Sequence, residues 1–138
     1  MFMFPELFLR KKYKEEDITG VYVNCAHMCR TSCYSFWLGN QDENTVFSAY
    51  YSEDDGRIEI KDVEVPAEEL HNFIQLAKKI LLIDELLKYR DKKNLTVPDK
   101  TEYNVEIKFV DGSILCASCP GINKEMLKFF YDLSEQYR

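Results

Sequence analysis

Hydrophobic and polar residues alternate along this chain with two different periods, and the switch points divide it into elements. Residues 18–38 read as extended. Val21, Val23 and Cys25 alternate with Tyr22, Asn24 and Ala26, and further on Tyr34, Phe36 and Leu38 share one face. The polar run Gly39–Asn44 predicts a turn. Thr45–Tyr51, rich in β-branched and aromatic residues, predicts the next strand. Ser52–Gly56 ends in Asp-Gly and reads as a second hairpin turn. The strand after it, Arg57–Val65, places Ile58, Ile60 and, after a shift of phase, Val63 on buried positions.

The period then becomes helical. Val65–Arg90 predicts one long helix, with Pro66 at its first position, where a missing N–H costs nothing. Glu68 and Glu69 sit in the first turn, where they suit the positive end of the dipole. Leu70, Phe73, Ile74, Ala77, Ile80, Leu81 and Leu87 recur as one apolar stripe. Asp91–Lys100, broken by Asn94 and Pro98, predicts a long connection. Thr101–Cys119 predicts a hairpin turning on Asp111-Gly112. A two-residue turn there sets Phe109 opposite Ile114 and Ile107 opposite Cys116. Asn123 is placed to cap a closing helix whose apolar face is Met126, Phe130, Leu133 and Tyr137. The order ββββ-α-ββ-α predicts the α+β class: an antiparallel sheet of about six strands with helices on one face. The other face would be partly exposed or paired with another copy. Residues 1–138 form a single domain in this reading, with 1–17 an apolar and charged extension and 18–138 the core.

Charge narrows the function. A formal net charge of −6 argues against a nucleic-acid binder, which needs a basic field. The basic runs Arg10–Lys14 and Lys88–Lys93 read as solvated faces, the second at a helix end. No apolar run approaches the roughly 20 residues of a membrane span. At the N-terminus the charges follow the apolar residues, Pro5 interrupts them, and no small-residue cleavage site appears, so the segment does not read as an export signal. Phe2, Phe4, Leu7 and Phe8 are expected to dock on their own domain in preference to a partner subunit. Five cysteines, an odd number without an export signal, point to free thiols in the cytoplasm.

The candidate chemistry lies in those thiols. Cys25, His27, Cys29, Cys33, Cys116 and Cys119 supply more than the four Cys or His ligands that zinc needs. In an unbroken strand, however, Cys25 and Cys29 would stand roughly 13 Å apart at strand rise, too far for one ion with bonds of about 2.3 Å. A turn between His27 and Thr31 would lift that objection. A thiol-rich core is therefore preferred, with Cys116 on the apolar face of the last hairpin as a small hydrophobe. Zinc is the alternative cofactor, and no other cofactor is expected. A redox pair comes third, because Cys116 and Cys119 end a strand and do not start a helix. Iron–sulfur ligation lacks the compact spacing. His71 reads as a surface residue on the helix, and no nucleophile elbow, phosphate loop or dinucleotide fingerprint appears, so no catalytic residue is assigned.

Core packing and sheet propensity explain most of Tyr22, Tyr34, Trp37, Tyr50 and Tyr51 on the first strands; the alternative is a ligand groove, recognition surface or subunit interface. The function expected is that of a small non-enzymatic binding or self-associating domain, with homo-oligomerisation in view. The alternatives are a zinc-binding protein and a thiol-redox enzyme.

"VPAEEL" opening the long helix, "YNVEIKFVDGSILCAS" and the terminal helix together resemble a group of small bacterial proteins of unknown function. The resemblance spans roughly residues 18–136 and implies the same α+β fold. It implies no activity. The chain departs from that group at Cys119, where glycine is common, and at "CAHMC", which replaces glycines of the early hairpin.

Overall fold

The computed structural model of the chain describes residues 12–26, 34–53, 56–90, 102–121 and 123–138. Six strands form one antiparallel sheet: β1 (Ile18–Ala26), β2 (Tyr34–Gln41), β3 (Asn44–Glu53), β4 (Gly56–Val65), β5 (Glu102–Phe109) and β6 (Ile114–Cys119). Their order across the sheet is β4-β3-β2-β1-β5-β6. Among the described residues three α-helices of two turns or more pack on it, α1 (Ala67–Lys79), α2 (Leu82–Tyr89) and α3 (Lys124–Tyr137), and a single 3-10 turn, Glu15–Asp17, precedes β1. This is the α+β arrangement that the periodicity predicts. No described helix is long and apolar enough to cross a membrane.

Every strand sends alternate side chains into one layer beneath the helices. Val21, Val23, Phe36, Leu38, Phe47, Ala49, Tyr51, Val105, Ile107, Leu115 and Ala117 are buried there. From the helices come Leu70, Phe73 and Ala77, then Leu82, Ile83 and Leu86, then Met126, Phe130 and Leu133. Aromatic rings join the layers. Phe36 stacks on Phe130 at 5.2 Å with planes 8° apart, and Tyr131 meets Tyr51 edge-on at 4.9 Å. At the end of the sheet near the β5–β6 turn, Tyr13 packs against Phe109 at 5.0 Å, and Val110 N–H donates to the Asp17 carbonyl.

The extended run over 18–38 is two strands, as four strands before the long helix require: β1 ends at Ala26 and β2 starts at Tyr34 in antiparallel pairing, with Cys25 opposite Tyr34. The structure differs from the sequence reading at two places, each with a local cause. The long helix is two helices. The run Ile80-Leu81-Leu82-Ile83 has too many consecutive apolar residues for one stripe, and a left-handed Leu81 (φ 56°) breaks it. Leu82 and Ile83 are then buried while Leu81 stays 59% exposed.

The second difference is a register. Phe109 N–H donates to the Ser113 carbonyl and Gly112 N–H donates to the Phe109 carbonyl, with Gly112 at φ 90°. The turn therefore holds Val110, Asp111 and Gly112 in place of two residues, the geometry of a turn closed by a glycine bulge. The extra residue sets Ile107 opposite Leu115 and Glu106 opposite Cys116. Cys116 is consequently exposed on the helix-free face, and Cys119 is buried under the helices. A second irregularity lies where it was expected, between Phe47 and Ala49 against β4, and returns Val63 and Val65 to the helix side. Asp62 takes φ 51° there, and its N–H is held by Ser48 Oγ at 2.9 Å.

Asn123 caps α3 as the sequence indicates, accepting from the Glu125 and Met126 N–H groups. Deeper in the same helix, the Ser134 hydroxyl shares a buried 2.7 Å hydrogen bond with the Tyr51 hydroxyl. Tyr51→Phe removes that bond and leaves the Ser134 hydroxyl buried. The expected loss is about 1–3 kcal/mol of unfolding free energy, read from the urea midpoint at unchanged slope. An unshifted midpoint would show that the contact between α3 and β3 does not depend on it.

Candidate functional site

The helix-free face of the sheet carries the residues that packing does not explain. Cross-strand register arranges them in rows. Val46, Gly39, Gly20, Lys108 and Ile114 form one row, and Ser48, Trp37, Tyr22, Glu106 and Cys116 the next. Beyond them run Glu59, Tyr50, Ser35, Asn24, Asn104 and Ser118.

Trp37 organises this face. Its indole lies over the directly paired glycines Gly20 and Gly39. A Cβ built on Gly20 would fall 2.5 Å from the end of the ring, and one on Gly39 would fall 2.5 Å from the ring and 2.8 Å from the Gly20 backbone. Glycine at both positions is thus what lets the ring lie down on the sheet. Lys108 extends over the ring with its ammonium 5.2 Å from the centroid, a cation–π contact. Arg57 does the same for Tyr50 at 6.0 Å, and Asn24 donates to the Tyr22 hydroxyl at 3.3 Å. Beside Trp37 a hollow of about 260 Å³ is lined by Tyr22, Ser35, Trp37, Ser48, Tyr50, Glu59 and Lys61, among others.

The five aromatic candidates therefore divide. Tyr22, Trp37 and Tyr50 share the open face, whereas Tyr34 and Tyr51 are buried on the helix side. Gly20, Gly39 and Lys108 are members of this face that the sequence does not single out. The only hint is a tryptophan two residues from a glycine, and it means nothing until the strand register sets Gly20 opposite Gly39.

The candidate ligands also divide. His27, Cys29 and Cys33 lie outside the described residues, as do Phe2, Phe4, Leu7 and Phe8. Cys25 and Cys119 lie in one row on the helix side with Tyr103 between them, and Cys116 faces the other way. Among the described residues, no group of three or more His, Cys, Asp or Glu is placed to hold a metal ion. β1 and β2 pair antiparallel, and the residues that join them lie outside the described residues.

Cys119 lines a cleft of about 370 Å³ between α2, the end of β6 and the start of α3, with Glu85 and Asn123. Burial, then the Glu85 charge, pushes its thiol up to about 11. Burial and Glu106 raise Cys116 as well. Both shifts disfavour the thiolate, the opposite of what activates a nucleophilic cysteine. Beside Cys25, the Tyr34 phenol is also raised, by burial first and then by Cys25, Tyr103 and Tyr131. Its hydroxyl has no hydrogen-bond partner among the described residues. His71 is exposed on α1, as its position suggests.

Gly20→Ala tests the aromatic platform. It should cost about 1–3 kcal/mol in the native background, because the ring must leave its seat. In a Trp37→Leu background the same change should cost far less. Equal costs in both backgrounds, measured by denaturant unfolding, would mean that the ring does not rest on Gly20.

Comparison of the chain with protein-family models, with curated proteins and with solved structures returns no match.

Proposed function

We propose that this chain is a non-enzymatic binding domain that receives a protein partner on the open face of its sheet. The observation that carries this reading is the Trp37 indole held flat over Gly20 and Gly39 under Lys108. A ring fixed in this way presents apolar area without losing side-chain freedom when a partner arrives, which is what makes aromatic anchors effective. Tyr22 and Tyr50 share the hollow beside it, with Arg57 over the Tyr50 ring, and these residue types are enriched at interfaces. The occupant is a polypeptide segment that seats an apolar side chain in the hollow beside Trp37. Glu59 and Lys61 on the wall of the hollow would orient its polar groups. The net charge of −6 favours encounter with a basic partner.

The test uses a random-peptide library selected against the immobilised protein. Enriched peptides should combine an apolar or aromatic anchor with basic flanks. They should shift the emission of Trp37, the chain's single tryptophan, and should bind Tyr50→Ser about tenfold more weakly. Peptides that bind both proteins equally and leave the emission unchanged would overturn the reading.

A further inference from the structure

The two outer strands of the sheet are built differently. β4 carries Arg57, Glu59, Lys61 and Glu64 and is bent at Asp62, where φ is 51°. Charges and bulges of this kind protect an edge strand from pairing with another chain. β6 has none of them. Its sequence, Ile-Leu-Cys-Ala-Ser-Cys, holds no charge and no proline, and its register against β5 is unbroken.

The hydrogen-bonding parity of β6 follows from its turn. Phe109 N–H donates to the Ser113 carbonyl, so that opposed pair is a hydrogen-bonded one. Opposed pairs alternate in an antiparallel ladder. Leu115, Ala117 and Cys119 therefore bond to β5, opposite Ile107, Val105 and Tyr103. The N–H and C=O groups of Ile114, Cys116 and Ser118 point outward, along an edge that no described strand occupies.

We infer that the β6 edge pairs with the β6 edge of a second copy of this chain, antiparallel and centred on Cys116. Only that centre uses all three outward residues. Ile114 then faces Ser118 of the other copy, and Cys116 faces its own counterpart. Three such pairs exchange about six backbone hydrogen bonds. On the helix side Leu115 faces Ala117, a large residue against a small one. The absence of charge on β6 removes any repulsion between the identical edges, and the two-fold axis closes the assembly as a dimer. The two sheets become one, and both Trp37 faces lie on the same side of it. This pairing does not depend on what the open face binds.

Two measurements test it on the full chain under reducing conditions. Sedimentation velocity over a concentration series should show a monomer–dimer equilibrium. Cys116→Pro removes an N–H that points outward and is not used by the β5 ladder, and it should weaken dimerisation at least about tenfold with the native Trp37 emission retained. Cys116→Lys, which places two charges side by side at the axis, provides the same test if the proline variant does not fold. In a Cys29→Ser/Cys33→Ser background, dibromobimane should join Cys116 to its counterpart and fluoresce. A wild-type chain that stays monomeric at millimolar concentration overturns the inference. So does a dimer that survives both Cys116 substitutions, or one in which the reagent bridges no Cys116 pair.

Discussion

Phe36 stacked on Phe130 is the contact on which the rest of the molecule depends. It joins β2, inside the sheet, to α3, the last element of the chain, with the rings 5.2 Å apart. Phe73 from α1 packs on the same Phe130 ring at 5.7 Å, and Tyr131 closes on Phe36 from the side at 5.2 Å. Three elements distant in sequence thus share one aromatic cluster. With α1, α2 and α3 all committed to that side, the opposite face of the six-stranded sheet has no helical cover among the described residues. The chain manages that face with side chains instead. Ser35, Ser48, Ser118, Glu59, Glu106 and Lys108 are spread across it, and its one tryptophan lies against the backbone of Gly20 and Gly39.

The glycine pair beneath Trp37 links this packing to the proposed binding face. Glycine in a strand interior costs conformational entropy and offers nothing to pack. Here two glycines face each other on the central strands β1 and β2, and the indole occupies the space their side chains would fill. The ring shields backbone that would otherwise lie bare, and it is left half-buried. A fixed aromatic surface flanked by Tyr22 and Tyr50 is a poor solution for solubility alone. In the proposed reading it is the contact surface.

The parts of the fold that follow a strict period were legible in the sequence. The alternation of Val21, Val23 and Cys25, the apolar face of α3 and the Asn123 cap all read directly. The phase shift in β4 was also visible, because Ile60 and Val63 cannot share a face in a regular strand. What escaped depends on single residues at junctions. One extra residue in the turn at Gly112 moved Cys116 from the core to the open face and Cys119 into the core. One left-handed leucine split the long helix. The split of the aromatic residues was implicit, since Tyr34 shares parity with Phe36 and Trp37 does not. The platform itself was not legible, because it is made by register between strands and not by spacing within one.

Fluorescence anisotropy of Trp37 during acrylamide quenching tests the central claim, that the sheet presents a fixed and accessible aromatic face. The account predicts efficient quenching together with anisotropy decay set by whole-molecule tumbling. An indole that resists quenching would be buried, and one that is quenched while rotating freely would have no seat on the glycines. Either result would contradict the account.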